Sequence, residues 1–223
     1  MEIISWNCND GFQNKFKELE PADIYVIQEV RDPRSIEGKE FQNWLKDYDY
    51  KWVQHWDKSR GLCVFIKKGI NYSENSWNSF GLDCYISLKI NDINFIAVWA
   101  CDNYIEDACI YFDIHKEKLG KAFIVGDFNS NVIWNGKRKR NHSYFSKILS
   151  SIGIKSIYHK EMNENEGSET ISTFYLHRNE NKDFHIDYMF AHDDIKYNNF
   201  KIGDVKKYLK YSDHVPMSID IQI

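Results

Sequence analysis

The chain has 223 residues, of which 43% are hydrophobic and 16% aromatic. It can therefore bury a large core, and we expect one domain over residues 1–223. The 29 Lys and Arg against 33 Asp and Glu give a net charge of −4, which argues against nucleic-acid binding through bulk positive charge. A nuclease stays possible, because a cleft can carry local charge that the sum conceals.

Targeting and redox signals are weak in this sequence. The segment MEIISWNCND has no basic stretch followed by a long apolar run, and no segment is long enough to predict a membrane span. We therefore expect a cytoplasmic protein without a membrane partner. The five cysteines include no CxxC pair, which disfavours both a disulfide framework and a zinc site and predicts reduced thiols: Cys8, Cys63, Cys84, Cys101 and Cys109.

Apolar runs between polar turns predict the following elements in chain order. The first half has strands at 1–6 and 24–28, short helices at 12–19 and 41–48, an extended segment at 51–55 and strands at 62–67, 84–90 and 93–100. The second half has a helix at 104–119, a strand at 122–126, a helix at 144–152 ending at Gly153, an exposed loop at 160–169, and strands at 170–175, 186–192 and 215–223.

Strands outnumber helices, yet helical segments separate the strand clusters. This pattern predicts an α/β fold: a four-layer sandwich of two mixed β-sheets packed face to face, with helices outside.

Five strings place acids, amides or an imidazole at the ends of strand-like runs: SWNCN (5–9), IQEV (27–30), VGDFNSN (125–131), HIDYMF (185–190) and YSDHVP (211–216). Hydrolysis of a phosphodiester requires a hard cation, a group that orients water and a donor for the phosphate, and Mg²⁺ prefers oxygen ligands. The strings together predict a divided active site for cleavage of a phosphate ester.

Individual residues in these strings suit separate tasks. Glu29 ends a buried strand, where a bare acid is costly unless it is paired or bound to metal. Asp127 and Asn129 lie two positions apart in an extended segment and therefore point to the same side. Asp187 can fix the tautomer of a histidine such as His214.

The ordered strings resemble the endonuclease/exonuclease/phosphatase superfamily, which includes exonuclease III-type abasic-site endonucleases and pancreatic-type deoxyribonuclease. The resemblance spans 5–216. It implies Mg²⁺ as the cofactor, with Mn²⁺ as an alternative. The implied metal residues are Glu29 and Asp213, together with Asp127 and Asn129, which also position the attacking water. The implied catalytic residues are Asn7, Asp127, Asn129, Asp187 and His214.

Two positions depart from the family pattern. Many relatives carry a histidine in the strand before the central helix, whereas this chain reads FIAVWACDN, with Trp99 or Asn103 in that neighbourhood. The leaving-group acid of secreted deoxyribonucleases is therefore expected to be absent. Asn9 stands where abasic-site enzymes often have an acid, which weakens a second metal position.

Candidate substrate-binding residues lie outside the five strings. The basic run GKRKR (136–140) is either a solvated loop or a phosphate-backbone contact beside the cleft. Arg60 and Arg178 either clamp phosphates or cap loops. The full set of candidates is Arg60, Asn103, Lys137, Arg138 and Arg178.

Three functions compete on this evidence. The first is a metal-dependent nuclease, acting endo- or exonucleolytically as a monomer on DNA rather than RNA. The second is a phosphatase or phosphodiesterase for a small or lipid-linked phosphate, which the negative charge and short chain favour. The third is a catalytically degenerate binding module, which the complete polar set disfavours.

Overall fold

The computed structural model describes residues 1–56 and 59–222. The strands of this part are β1 (Glu2–Asn7), β2 (Ile24–Arg31), β3 (Tyr48–Gln54), β4 (Arg60–Lys67), β5 (Tyr72–Glu74), β6 (Tyr85–Ile90), β7 (Ile93–Trp99), β8 (Ala122–Asp127), β9 (Ile154–Ser156), β10 (Phe174–Tyr175), β11 (Asp183–Phe184), β12 (Asp187–His192), β13 (Tyr197–Ile202) and β14 (Met217–Ile221). The α-helices are α1 (Lys39–Leu45), α2 (Ile105–Leu119), α3 (His142–Ser150), α4 (Ile157–Met162) and α5 (Val205–Tyr208).

Twelve of these strands form two six-stranded mixed sheets. Sheet A has the order β13-β14-β1-β2-β4-β3, and sheet B has the order β5-β6-β7-β8-β12-β9. In sheet A, β1 runs parallel to β2, and in sheet B, β7 runs parallel to β8, while the other neighbours are antiparallel. The short hairpin β10-β11 stands apart.

Three apolar clusters hold the layers together. The central cluster lies between the sheets and contains side chains from both, such as Val26 and Val64 of sheet A and Phe95 and Phe123 of sheet B. Two outer clusters pack helices against the far face of each sheet: α2 and α3 on sheet B, and α1 with the N-terminal turns on sheet A. The predicted four-layer α/β sandwich is therefore confirmed.

Three predicted elements differ from the structure, and one observed strand was not predicted. Residues 12–19 form two separate 3₁₀ turns, and 160–169 begins inside α4. Only Phe174–Tyr175 of the predicted strand 170–175 is extended in a sheet, because the N–H groups of Thr170 and Ile171 donate to side chains instead. The edge strand β13 was missed, since its sequence YNNFKI has no apolar alternation.

No helix within residues 1–56 and 59–222 combines the length and hydrophobicity needed to cross a bilayer. That residues 1–223 form one domain stays a prediction.

Candidate active site

Strand register brings the predicted polar residues to one edge of both sheets. Asn7 ends β1 opposite Gln28 of the parallel strand β2, so Asn7 and Glu29 lie at the same end of sheet A. In sheet B, Asp127 ends β8 directly opposite Asp187, the first residue of β12. The two sheets thus present their acids at a shared edge, in the manner of ligand sites at strand ends in α/β proteins.

Asn7 is the polar link between the two sheets. Its side chain is buried, and its Nδ2 donates to Glu29 Oε1 at 3.2 Å and to Asp127 Oδ2 at 3.0 Å. Its Oδ1 accepts from the backbone N–H of Asn9 at 3.1 Å. All the hydrogen-bonding groups of this amide are therefore committed to holding two carboxylates and one turn in fixed positions.

Glu29 occupies a β-bulge rather than a regular strand position. The pairing of β2 with β4 shifts register between Gln28 and Val30, and Glu29 has a φ of 58°. A bulge turns a side chain out of the regular alternation and is found beside active sites. Here it presents the Glu29 carboxylate to Asn7 on one oxygen and to the guanidinium of Arg60 on the other.

Asp127 lies at the end of β8 because Gly126 allows an unusually close approach of β7. Gly126 has a φ of 149°, and a Cβ there would lie 1.9 Å from the carbonyl oxygen of Val98. The next turn places Asn129, at a φ of 46°, back over the same carboxylate. Its backbone N–H donates to Asp127 Oδ1 at 2.8 Å, and its Nδ2 donates to Asp127 Oδ2 at 3.0 Å.

The environment of Asp127 opposes its ionisation. Its side chain is fully buried, and burial together with the nearby charge of Asp187 raises its pKa to about 7, in spite of the amide donors. A carboxylate with a pKa near neutrality can accept a proton from water at physiological pH. The raised pKa also marks a concentration of negative charge that a cation would relieve.

Asp187 and His214 form a buried ion pair. The His214 Nδ1 lies 2.9 Å from Asp187 Oδ2, and the two side chains are 5% and 4% exposed. Burial lowers the pKa of His214, but the Asp187 charge and hydrogen bond outweigh it and raise the pKa to about 10. The imidazole is therefore protonated and supplies a fixed positive charge next to Asp127.

Asp213 is held beside His214 by a second amide. Asn9 Nδ2 donates to Asp213 Oδ1 at 2.9 Å, and Ser212 Oγ donates to the Asn7 carbonyl at 2.7 Å. The chain segment 212–214 is thereby tied to the end of β1. The amide of Asn7 thus fixes Glu29, and the amide of Asn9 fixes Asp213, although the two acids are far apart in the sequence.

The donor set fits a small divalent cation. Glu29, Asp127 and Asp213 offer carboxylate oxygens, which hard cations such as Mg²⁺ prefer, and Asp127 carries the electrostatic cost expected of clustered acids without a counter-ion. Asp127, Asp187 and His214 lie together, with their polar atoms within 4.8 Å of one another, so the His214 imidazolium is close to both acids. The edge of the sheets therefore offers carboxylate ligands suited to a divalent metal.

The structure brings one of the predicted substrate-binding residues into contact with the acids. Arg60 contacts Glu29 directly. Asn103 donates to Asp107, Arg138 lies 3.7 Å from Glu106, and Lys137 is exposed. Arg178 is exposed and donates to the carbonyls of Lys210 and Tyr211, so at present it caps a loop.

Supporting residues were missed in the sequence. The hydroxyl oxygen of Thr173 accepts from the N–H groups of Ile186 and Asp187, both at 3.0 Å, and thus fixes the start of β12. Ser212 accepts from the His214 N–H at 3.1 Å. The serine was visible next to the acid in YSDH, whereas Thr173 gave no sequence signal.

Comparisons with known proteins agree with this geometry. A model of the endonuclease/exonuclease/phosphatase family matches residues 4–214. None of the curated proteins matches.

Similar solved structures include a 3′ phosphatase from Neisseria bound to a product DNA hairpin and a 3′-5′ exonuclease from Neisseria meningitidis, both 15% identical with a TM-score of 0.70. An AP endonuclease from Archaeoglobus fulgidus is 17% identical with a TM-score of 0.69. Each match covers 100% of both chains, and at these identities it demonstrates a shared fold. On the evidence of the family model, the chain belongs to the endonuclease/exonuclease/phosphatase family.

Proposed function

We propose that this protein is a divalent-metal-dependent phosphodiester hydrolase that cuts DNA by in-line attack of an activated water. The observation that carries the proposal is the amide of Asn7, which holds Glu29 of one sheet and Asp127 of the other, beside the cationic pair Asp187–His214. This arrangement combines a base, a cation-binding edge and a fixed positive charge, as cleavage of a charged phosphodiester demands.

Each residue has a distinct proposed role. Asp127 accepts a proton from the attacking water, since its pKa is raised to about 7, and Asn129 and Asn7 orient its two oxygens. The His214 imidazolium stabilises negative charge that develops on the phosphate, and Asp187 keeps it protonated and oriented.

Glu29 and Asp213 are the proposed principal metal ligands. Asp127 and Asn129 are the proposed additional metal-contacting residues. Bound Mg²⁺, or Mn²⁺, would supply Lewis-acid neutralisation of the phosphate oxygens. Arg60 pairs with Glu29 at present, and on metal binding its guanidinium becomes available to a phosphate.

A cavity next to the acids is the proposed place for the nucleotide that flanks the scissile bond. It has a volume of about 300 Å³ and is lined in part by Asn129, Trp134, Arg138 and His142. We propose DNA rather than RNA as the substrate, a cytoplasmic location and a monomeric state, and we place Asn103, Lys137 and Arg178 at the outer substrate contacts.

The test is a substrate panel with purified protein stripped of metal by chelator: plasmid, abasic duplex, single strand, RNA and a small phosphodiester, each with Mg²⁺, Mn²⁺ or chelator. We expect metal-dependent cleavage of DNA that Asp127→Ala abolishes. Glu29→Gln should raise the Mg²⁺ concentration for half-maximal activity by about tenfold or more, because one charged ligand is lost. Failure of the wild-type protein to cut any DNA with either metal would contradict the proposal.

The second candidate is a phosphatase or phosphodiesterase for a small or lipid-linked phosphate. The net charge of −4 favours it, because a strongly anionic polymer is repelled at long range. Competitor DNA distinguishes the two: it inhibits turnover of a small phosphodiester by a nuclease and leaves a small-molecule enzyme unaffected.

A further inference from the structure

A second group of metal-ligating side chains lies beside the proposed active site. His55 follows β3, and Cys101 and Asp102 follow β7, so the group joins a loop of sheet A to a loop of sheet B. One ligand atom from each residue lies within 4.8 Å of the others. None of these three residues belongs to the acid cluster of Asp127, Asp187 and His214.

The donors of this group differ in chemistry from those of the acid cluster. An imidazole nitrogen, a thiol sulfur and a carboxylate oxygen suit Zn²⁺ or a similar transition metal, whereas Mg²⁺ seldom binds sulfur or imidazole. The buried thiol of Cys84 lies next to that of Cys101 but outside the group of three mutually close donors. The set is therefore His55, Cys101 and Asp102, which leaves one position of a tetrahedral Zn²⁺ to water.

The spacing is compatible with one ion. Tetrahedral Zn²⁺ with ordinary bond lengths places neighbouring donor atoms about 3.3–3.8 Å apart. The His55 Nε2 and Asp102 Oδ1 are 2.8 Å apart, so they form a hydrogen bond that an entering ion would replace. Small outward shifts of these side chains would suffice.

Burial and access are also appropriate. His55 is fully buried, and Cys101 is half-buried. The Asp102 side chain is 33% exposed and opens the group to solvent. An ion can therefore enter past Asp102 and remain shielded from water on its inner side.

We propose that His55, Cys101 and Asp102 form a zinc-type metal site that braces the cleft. The hairpin containing His55 closes through a hydrogen bond from its N–H to the carbonyl of Arg60, which contacts Glu29. The loop containing Cys101 begins after Ala100, whose carbonyl accepts from Asn129. The ion would thus tie together the two loops that flank the metal-binding acids, and the coordinating thiol would lose its proton to solvent.

The test uses Co²⁺ as a spectroscopic probe for Zn²⁺ with the full-length, chelator-stripped and reduced protein. With excess Mg²⁺ present to occupy the carboxylates at the sheet edge, we expect one thiolate-bound Co²⁺ per chain, with a thiolate-to-cobalt charge-transfer band in the near ultraviolet that Zn²⁺ bleaches and the Mg²⁺ does not. Cys101→Ser should abolish the band, and Asp102→Asn should weaken Co²⁺ binding by about tenfold or more, since it removes a charged ligand at a partly exposed position.

Two controls make the result specific. Cys109→Ser removes a buried thiol in α2, away from this group, and should leave the band unchanged. Asp127→Asn should also retain it, so the outcome does not depend on catalysis. The proposal is overturned if wild-type protein gives no band, if Cys101→Ser retains it, if Mg²⁺ bleaches it, or if Cys84 and Cys101 form a disulfide in protein prepared under reducing conditions.

Discussion

Two histidine–carboxylate pairs in this protein have opposite electrostatic surroundings. In the buried pair, His214 contacts Asp187 at the sheet edge, and in the partly buried pair, Nε2 of His159 on α4 lies 3.0 Å from Glu169 Oε1. Both pairs are shielded from water. They differ in whether the neighbouring charges and polar groups are satisfied.

The charge of Glu169 is balanced by the donors around it. Burial raises the pKa of Glu169, but donors from His159, the Gly167 N–H and Asn131 Nδ2 outweigh it and lower the pKa to about 2. A carboxylate that accepts from so many donors is stable in its charged form. This region therefore acts as a support, and Asn131 connects it to the turn containing Asn129.

The His214 pair leaves charge unbalanced. One imidazolium lies among Asp187, Asp127 and Asp213, and the pKa of Asp127 is raised to about 7 as a result of burial and the Asp187 charge. A folded protein accepts such a cost where a ligand or cation will enter. The contrast supports the proposal that the sheet edge is the functional region, with the Glu169 network as a structural support beside it.

Asp127→Asn gives the largest expected effect on activity. We predict a loss of about 10³-fold in kcat, because the group that accepts the water proton is removed. The change in stability at neutral pH should be small, because two effects oppose each other. The amide removes the cost of ionising Asp127, which grows as pH rises from 3.8 towards 7, but its NH₂ group faces a donor that the carboxylate accepted from. The two measurements are kcat and thermal unfolding at pH 7. A loss of kcat matched by an equal loss of stability would contradict the catalytic role.

Glu169→Ala should have the reverse effect. Its side chain is 6% exposed, and its loss leaves His159 Nε2 and the Gly167 N–H without the acceptor they share, so we predict a destabilisation of about 3 kcal/mol. Wild-type stabilisation by Glu169 is fully present above pH 4.5 and is lost as pH falls towards 2, so the difference between the proteins should narrow in acid. Urea unfolding at pH 7 and at lower pH measures the difference in stability between the two proteins. The turnover of the variant that remains folded should be near normal.

Asp187→Asn sharpens the comparison at the histidine itself. With the charge of Asp187 gone, the pKa of His214 should fall well below about 10, because burial lowers it and only the charges of Asp127 and Asp213 still raise it. The wild-type stabilisation is fully present below pH 6.5 and is lost as pH rises through 10. We predict a loss in kcat of about 10- to 100-fold. Titration of the His214 ring protons by NMR measures this pKa, and a variant whose His214 pKa stays near 10 would refute the role of Asp187.

The sequence predicts the two regions unequally. Acids and amides that directly follow apolar runs, such as Glu29 and Asp127, can be located because strand ends meet at sheet edges. The bulge at Glu29 and the closeness of Gly126 to Val98 depend on pairing with other strands, which local sequence does not encode. Their distances follow only from the folded chain.

The support network was predicted less well. Residues 160–169 are polar and were interpreted as an exposed loop, whereas Glu169 is folded inward against His159. The group of His55, Cys101 and Asp102 comes from two loops, so no short sequence motif indicates it. In both cases the decisive contacts join positions that are distant in sequence or hidden within a polar segment.

The exposed basic run gives the smallest expected effect. Lys137 and Arg138 are exposed, and Arg138 lines the cavity next to Asn129, outside both histidine regions. Replacing both by Ala should weaken DNA binding by a few-fold, with kcat and stability nearly unchanged, because exposed phosphate contacts add affinity and leave the acids in place. The dependence of log Kd on log salt concentration should become shallower by about one to two units, since up to two phosphate contacts are lost. Lys116→Ala with Lys118→Ala, at the far end of α2, is the matched control and should leave the salt slope as it is. An unchanged slope in the Lys137 and Arg138 variant would assign that run to a solvated loop.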